Sequence, residues 1–118
     1  MANEYDRIIK ETLRDVIDVL MKEVLGINAT KITPLETKMQ ITMEREVDFL
    51  YKVEENDETY ISHFEFQTTN DNYMLDRMHV YRAVIRKIHK MRVKQCLFYI
   101  GKEPLRMDTV ITEPGLTF

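Results

Sequence analysis

REVDFLYKVEENDETYISHFEFQ, residues 45–67, reads as two β-strands joined by a short acidic turn, and the rest of the chain can be arranged around it. Strand side chains alternate between faces with a period of two. In the first strand Val47, Phe49, Tyr51 and Val53 therefore share one face, and Glu46, Asp48 and Leu50 share the other. In the second, Tyr60, Ser62, Phe64 and Phe66 share a face, opposite Ile61, His63, Glu65 and Gln67. Pairing the strands brings Asp48, Glu65 and Gln67 to a single patch, with Glu65 and Gln67 about 6–7 Å apart along the strand. The intervening residues 54–58, with Asn56-Asp57 inside them, carry a hairpin-turn signal.

Charged side chains on a hairpin ordinarily mark its solvated face. Here Asp48 is followed by Phe49, Leu50 and Tyr51, and Glu65 lies between Phe64 and Phe66, in segments apolar enough for central strands. A carboxylate in such a place must be paired or bound to a metal. Two carboxylates and an amide oxygen are hard ligands, suited to Mg²⁺ or Mn²⁺ rather than zinc. His63 shares their face, where it reads either as a ligand or proton shuttle or as a hydrogen-bonded structural residue.

Upstream, Ile9, Leu13, Val16, Ile17, Leu20 and Val24 recur at helical spacing and predict an amphipathic helix over residues 5–25, with Gly26 as its stop. Residues 28–38, broken by Pro34, read as a connection, and the strand region begins at residue 38. After Gln67, the run Thr68-Thr69-Asn70-Asp71 offers helix N-caps. A helix follows to about Met91, with Met74, Met78, Tyr81, Ile85 and Ile88 as its buried stripe, flanked by Val84 and Met91. Arg77 lies at the edge of that stripe, nearest the acidic patch, while Arg82, Arg86 and Lys90 lie outside it. Residues 93–100, VKQCLFYI, form a near-continuous apolar strand of the kind covered on both faces. Reached through a helix, it pairs parallel to the Glu65 strand by a right-handed crossover. Residues 107–112 are a candidate further strand, and the chain stops in an apolar phrase, residues 116–118, without a capping or tail-like ending, as a truncated or shortened sequence would.

The chain of 118 residues is long enough for a single domain, residues 1–118, with a small core. Its net charge of −3 conceals an asymmetry. Acids crowd residues 44–58, whereas Arg77, Arg82, Arg86, Lys87, Lys90, Arg92 and Lys94 follow with no acid among them. An acidic pocket beside a basic face suits a metal-dependent enzyme acting on a polyanion; a simply solvated basic helix is the plainer account of the same charges. The single cysteine, Cys96, excludes an intrachain disulfide or a thiolate metal cluster. No signal-peptide core, membrane-length apolar run, glycine-rich phosphate loop or internal repeat is present in the sequence. The default expectation is a cytoplasmic protein.

Asp48, the turn, and then Glu65-Phe66-Gln67 resemble the D…(D/E)-x-K core of the PD-(D/E)XK nuclease superfamily. The run HFEFQTTNDNYMLDRMHVYRAVIRKIHKMRVKQCLFYIG, residues 63–101, is similar to its transposase-like, recombination-promoting branch. The similarity lies in Glu65-Phe66-Gln67, then Arg77-Met78 and Tyr81 on a helix, then a strand closing at Gly101. Val47 stands where the superfamily's name has proline, and Gln67 stands at the lysine position. Glutamine is not a general base, so it would hold a water rather than deprotonate it.

The resemblance implies an α/β fold with a restriction-endonuclease-like core, a mixed sheet flanked by helices in the order α-β-β-β-α-β. It implies a Mg²⁺- or Mn²⁺-dependent DNA endonuclease, with Asp48, Glu65 and the carbonyl of Phe66 holding metal and Gln67 positioning water. Glu11 matches an acid of the family's first helix, although the helical wheel turns it away from the core. DNA is the implied partner, contacted through Arg77, Arg82, Arg86 and Lys90; a homodimer is left open. A nuclease fold that binds nucleic acid or protein without turnover is a second reading, motivated by Gln67. A small-molecule metalloenzyme using His63 and Glu65 is a third, which gives the basic helix no role.

Overall fold

The computed structural model describes residues 16–40 and 44–110, together with Ile8, Glu11, Thr12, Arg14 and Pro114. Ile9 and Leu13 of the expected first helix, and residues 111–112 and 116–118, lie outside these. The core is a four-stranded mixed sheet built from β1 (Lys31–Pro34), β4 (Phe49–Glu55), β5 (Glu58–Gln67) and β6 (Val93–Tyr99), side by side in that order. A separate two-stranded ribbon pairs β2 (Lys38–Gln40) with β3 (Glu44–Glu46). Helix α1 runs through Ile17–Val19 into a π-helical turn, Leu20–Val24, and helix α2 spans Met74–His89.

The expected hairpin is β4–β5, antiparallel from Phe49↔Phe64 to Glu55↔Glu58. Asn56 and Asp57 both take positive φ, 50° and 61°, which matches the right-handed twist of the flanking strands. The crossover through α2 makes β5 and β6 parallel, from Ile61↔Val93 to Gln67↔Tyr99. Alternation along β4 and β5 divides the core between the two faces of the sheet. Phe49, Tyr51, Val53, Tyr60 and Phe64 pack with Ile17 and Met21 of α1. Leu50, Ile61 and Val93 pack with Met74, Met78, Tyr81 and Ile85 of α2.

The observed order departs from the expected α-β-β-β-α-β. Residues 31–34 form a strand rather than part of a connection, and Pro34 is compatible with this because β1 lies at the sheet edge and Pro34 is its last residue. Val47 packs on the α2 side with Leu50, not with Phe49, because the chain bends between β3 and β4 and breaks the period of two. In α1 the π-helical turn, with the Leu25 amide bonded to the Leu20 carbonyl, displaces the helical register; Met21 is buried, while Val16 and Val24 are exposed. Gly26, at φ 66°, ends this helix as expected. Ile88 is 57% exposed instead of buried. Lys90, in the left-handed region, ends α2 and brings Met91 back against the cluster. Met107 is buried on the α2 side, but residues 107–110 form no strand.

Tyr60 ties the hairpin to the α1 side. Its ring is buried beneath the Lys94 ammonium, 4.1 Å from the centroid, and its hydroxyl donates to Glu55 Oε1 at 2.9 Å. Burial, then the bond to Glu55 and the charges of Glu55 and Glu58, push the phenol up to about 12 from 10.0. The folded state thus favours the protonated phenol. Its contribution is complete below pH 10 and is lost as pH rises through about 12. In urea titrations, Tyr60→Phe should cost about 1 kcal/mol at neutral pH and flatten the loss of stability above pH 10; an unchanged alkaline slope would contradict this account.

Candidate functional site

Phe49↔Phe64 is the last pair of the β4–β5 ladder, and the next position would oppose Asp48 to Glu65. There side chains take over from the backbone. The Asp48 amide donates to Glu65 Oε2 at 2.8 Å, and the Phe66 amide donates to Asp48 Oδ2 at 2.9 Å. Each acid thus accepts an N–H from the strand that carries the other, which fixes both carboxylates at the open end of the hairpin. Asp48 is half-buried and Glu65 is 7% exposed.

Glu65 Oε2 has a second partner, His63 Nε2, at 2.9 Å. His63 and Glu65 are two residues apart on β5 and face α2. The His63 ring is fully buried, edge-on to Tyr81 with centroids 5.7 Å apart. Its other nitrogen, Nδ1, lies 3.1 Å from Gln95 Nε2, which also donates to the Met78 carbonyl at 2.7 Å. Gln95 was not singled out by the sequence reading. Its signal was a lone amide within the apolar run 93–100, on the alternating face shared with Val93, Leu97 and Tyr99. His63 is therefore buried with both ring nitrogens within hydrogen-bonding distance of a partner.

Phe66 and Gln67 complete the neighbourhood. The Phe66 ring points to the α1 face, stacked on Phe98 at 5.1 Å, while its amide holds Asp48. Gln67 follows Glu65 on the same face, and its carbonyl accepts the Ile100 amide at 2.9 Å. Just beyond the parallel ends of β5 and β6 an open cleft of about 330 Å³ is lined by Thr68, Thr69, Lys102 and Glu103, among others. Gly101 cannot carry a side chain there, since a Cβ would fall 2.6 Å from the Thr68 carbonyl and closer still to the Tyr99 ring.

The basic residues divide into two kinds. Arg77 donates to Asp71 Oδ2 at 2.8 Å, so it braces the loop after β5. Arg82 donates to the Val93 carbonyl and holds the start of β6. Arg86 and Lys90 are exposed on the last turns of α2. Glu11 is exposed on the described part of the first helix. Cys96 is half-buried, and burial raises its thiol above the usual range, which does not favour a nucleophilic role.

Among the described residues no group of three or more His, Cys, Asp or Glu side chains is disposed to hold a metal ion. Asp48 and Glu65 would supply two carboxylates, with both of the Glu65 bonds falling on Oε2. Such a sparse oxygen set fits Mg²⁺ or Mn²⁺, which commonly binds through one or two carboxylates and keeps several waters.

The reciprocal bonds predict unequal effects of two substitutions. Asp48→Ala, which leaves the Phe66 amide without its acceptor, should lower unfolding free energy by about 1–3 kcal/mol in urea. Asp48→Asn, which keeps the oxygen, should cost less. Equal losses would show that the Phe66 bond contributes nothing of its own.

No family model, curated protein or solved structure matches the chain.

Proposed function

We propose that this chain is a metal-dependent nuclease domain with a restriction-endonuclease-like core, acting on the phosphodiesters of DNA. The observation that carries the reading is the pairing of Asp48 and Glu65 at the open end of the β4–β5 hairpin, each fixed by an amide of the opposite strand. Support also comes from the chain order, in which the acid-bearing hairpin leads through α2 to a parallel strand. Asp48, Glu65 and the Phe66 carbonyl would hold Mg²⁺ or Mn²⁺. When bound, such an ion supplies Lewis acidity towards the scissile phosphate and lowers the pKa of a coordinated water.

The protein's own groups divide the remaining work. Gln67 presents an amide that accepts from and donates to a water, orienting it without removing its proton. The fixed carboxylates keep their geometry because hydrogen bonds, rather than solvent, oppose their rotation. Arg86 and Lys90 face solvent on one end of α2 and would contact phosphates irrespective of sequence. Arg77 serves by fixing the loop that follows the catalytic strand.

Nicking of supercoiled plasmid in Mg²⁺ and in Mn²⁺ tests the assignment. The unmodified chain should cleave, and Asp48→Ala and Glu65→Ala should each lose about 100-fold or more. Cleavage unaffected by either change would place the chemistry elsewhere. A binding module without turnover is favoured by one observation, the near-complete burial of Glu65 with Oε2 already twice engaged. DNA binding with no cleavage by the unmodified chain would select it. In either case, replacing Arg86 and Lys90 by Ala should reduce the slope of log affinity against log salt by about 2.

A further inference from the structure

We infer that Gln95 and His63 are positioning residues which hold Glu65 as a one-oxygen ligand, leaving Oε1 for a divalent cation. The inference rests on the nuclease reading for the identity of the ligand, but its hydrogen-bond logic does not. Gln95 Nε2 lies within bonding distance of the Met78 carbonyl, 2.7 Å away, which accepts only. The amide is therefore oriented with its NH₂ towards α2, and the second hydrogen of that NH₂ points at His63 Nδ1, 3.1 Å away. An Nδ1 that accepts carries no hydrogen. The imidazole hydrogen then sits on Nε2 and is donated to Glu65 Oε2 at 2.9 Å. The same oxygen accepts from the Asp48 amide at 2.8 Å, so Oε2 is engaged by two donors and a cation meets Oε1.

Three elements of the fold thus meet at one carboxylate oxygen: α2 through its Met78 carbonyl, β6 through Gln95, and β5 through His63. The ring of His63 has no freedom to reorient, being fully buried and packed edge-on against Tyr81. Neither Gln95 nor His63 would touch substrate. Their effect is exerted on the direction in which Glu65 presents its remaining oxygen, the kind of outer support that a ligating carboxylate needs.

The test has two arms, both on the full chain. The first is nitrogen NMR of the imidazoles, with the His63 signals identified by their absence in His63→Gln. A protonated Nε2 beside a bare Nδ1 is expected; a protonated Nδ1 beside a bare Nε2, or a mixture of the two forms, overturns the relay. The second is Mn²⁺ affinity, read from the paramagnetic resonance of the free ion, in Gln95→Met and Gln95→Glu. The first substitution removes the donor, and the second, nearly isosteric, replaces it with an acceptor, so that packing is kept in at least one variant. Variants shown to be folded by circular dichroism should bind Mn²⁺ about 10–100-fold more weakly. Unchanged affinity in folded Gln95 variants overturns this inference alone. If the unmodified chain takes up no Mn²⁺, both the nuclease reading and the ligand role of Glu65 fall, whereas the tautomer result still decides the relay.

Discussion

A carboxylate held away from water needs partners for its charge, and at residues 48 and 65 one N–H donor to each acid comes from the other acid's strand. This exchange sets conditions on everything around it. The ladder must stop at Phe49↔Phe64 so that the amides of Asp48 and Phe66 are released to side chains. The chain must bend at Asp48, which sends Val47 to the α2 side and ends β3 just before it. Glu65 must be met from behind by His63, and His63 by Gln95, or a buried donor or acceptor would be left without a partner.

The elements legible in the sequence were those whose signal is local. Alternation from Phe49 to Val53 and from Tyr60 to Phe66 placed the hairpin and both of its faces, and Asn56-Asp57 placed its turn, because a strand's period and a two-residue turn are set by neighbours in the chain. The stripe Met74, Met78, Tyr81 and Ile85 placed α2 for the same reason. What was missed depends on partners far along the chain. The strand at Lys31–Pro34 is short, contains proline and alternates weakly, and is defined by pairing with β4. The burial of Met21 follows from one π-helical turn that no periodicity foretells. At the site, Asp48 and Glu65 could be read from strand geometry. Gln95 could not be joined to His63 until β6 was placed in register beside β5.

The basic segment illustrates how composition overstates a surface. Seven cationic side chains follow one another from Arg77 to Lys94 without an intervening acid, yet several have defined work within the fold. Arg77 pairs with Asp71 and Arg82 holds a carbonyl of β6, while Arg92 and Lys94 both approach Glu58, across the hairpin's turn end. The exposed Arg86 and Lys90 lie towards the C-terminal end of α2, where the helix dipole also favours positive charge. Their presence there is consistent with a polyanion's approach and equally with helix stabilisation, so the salt dependence of binding rather than the charge count carries the information.

The parallel placement of β6 gives the site a history as well as a shape. Asp48 and Glu65 are separated by 17 residues across one hairpin, whereas His63 and Gln95 are separated by 32 and meet only after α2 has closed the crossover. Local pairings of the first sort close in microseconds, and parallel pairings of the second sort come later because the loop entropy must be met before any contact forms. Pairing of β4 with β5 juxtaposes the two acids and brings His63 with them, whereas Gln95 reaches His63 only through the crossover. The register of β6 beside β5 is what carries Gln95 to His63, so the hydrogen bonds that stand behind Glu65 exist only once the parallel pairing has formed.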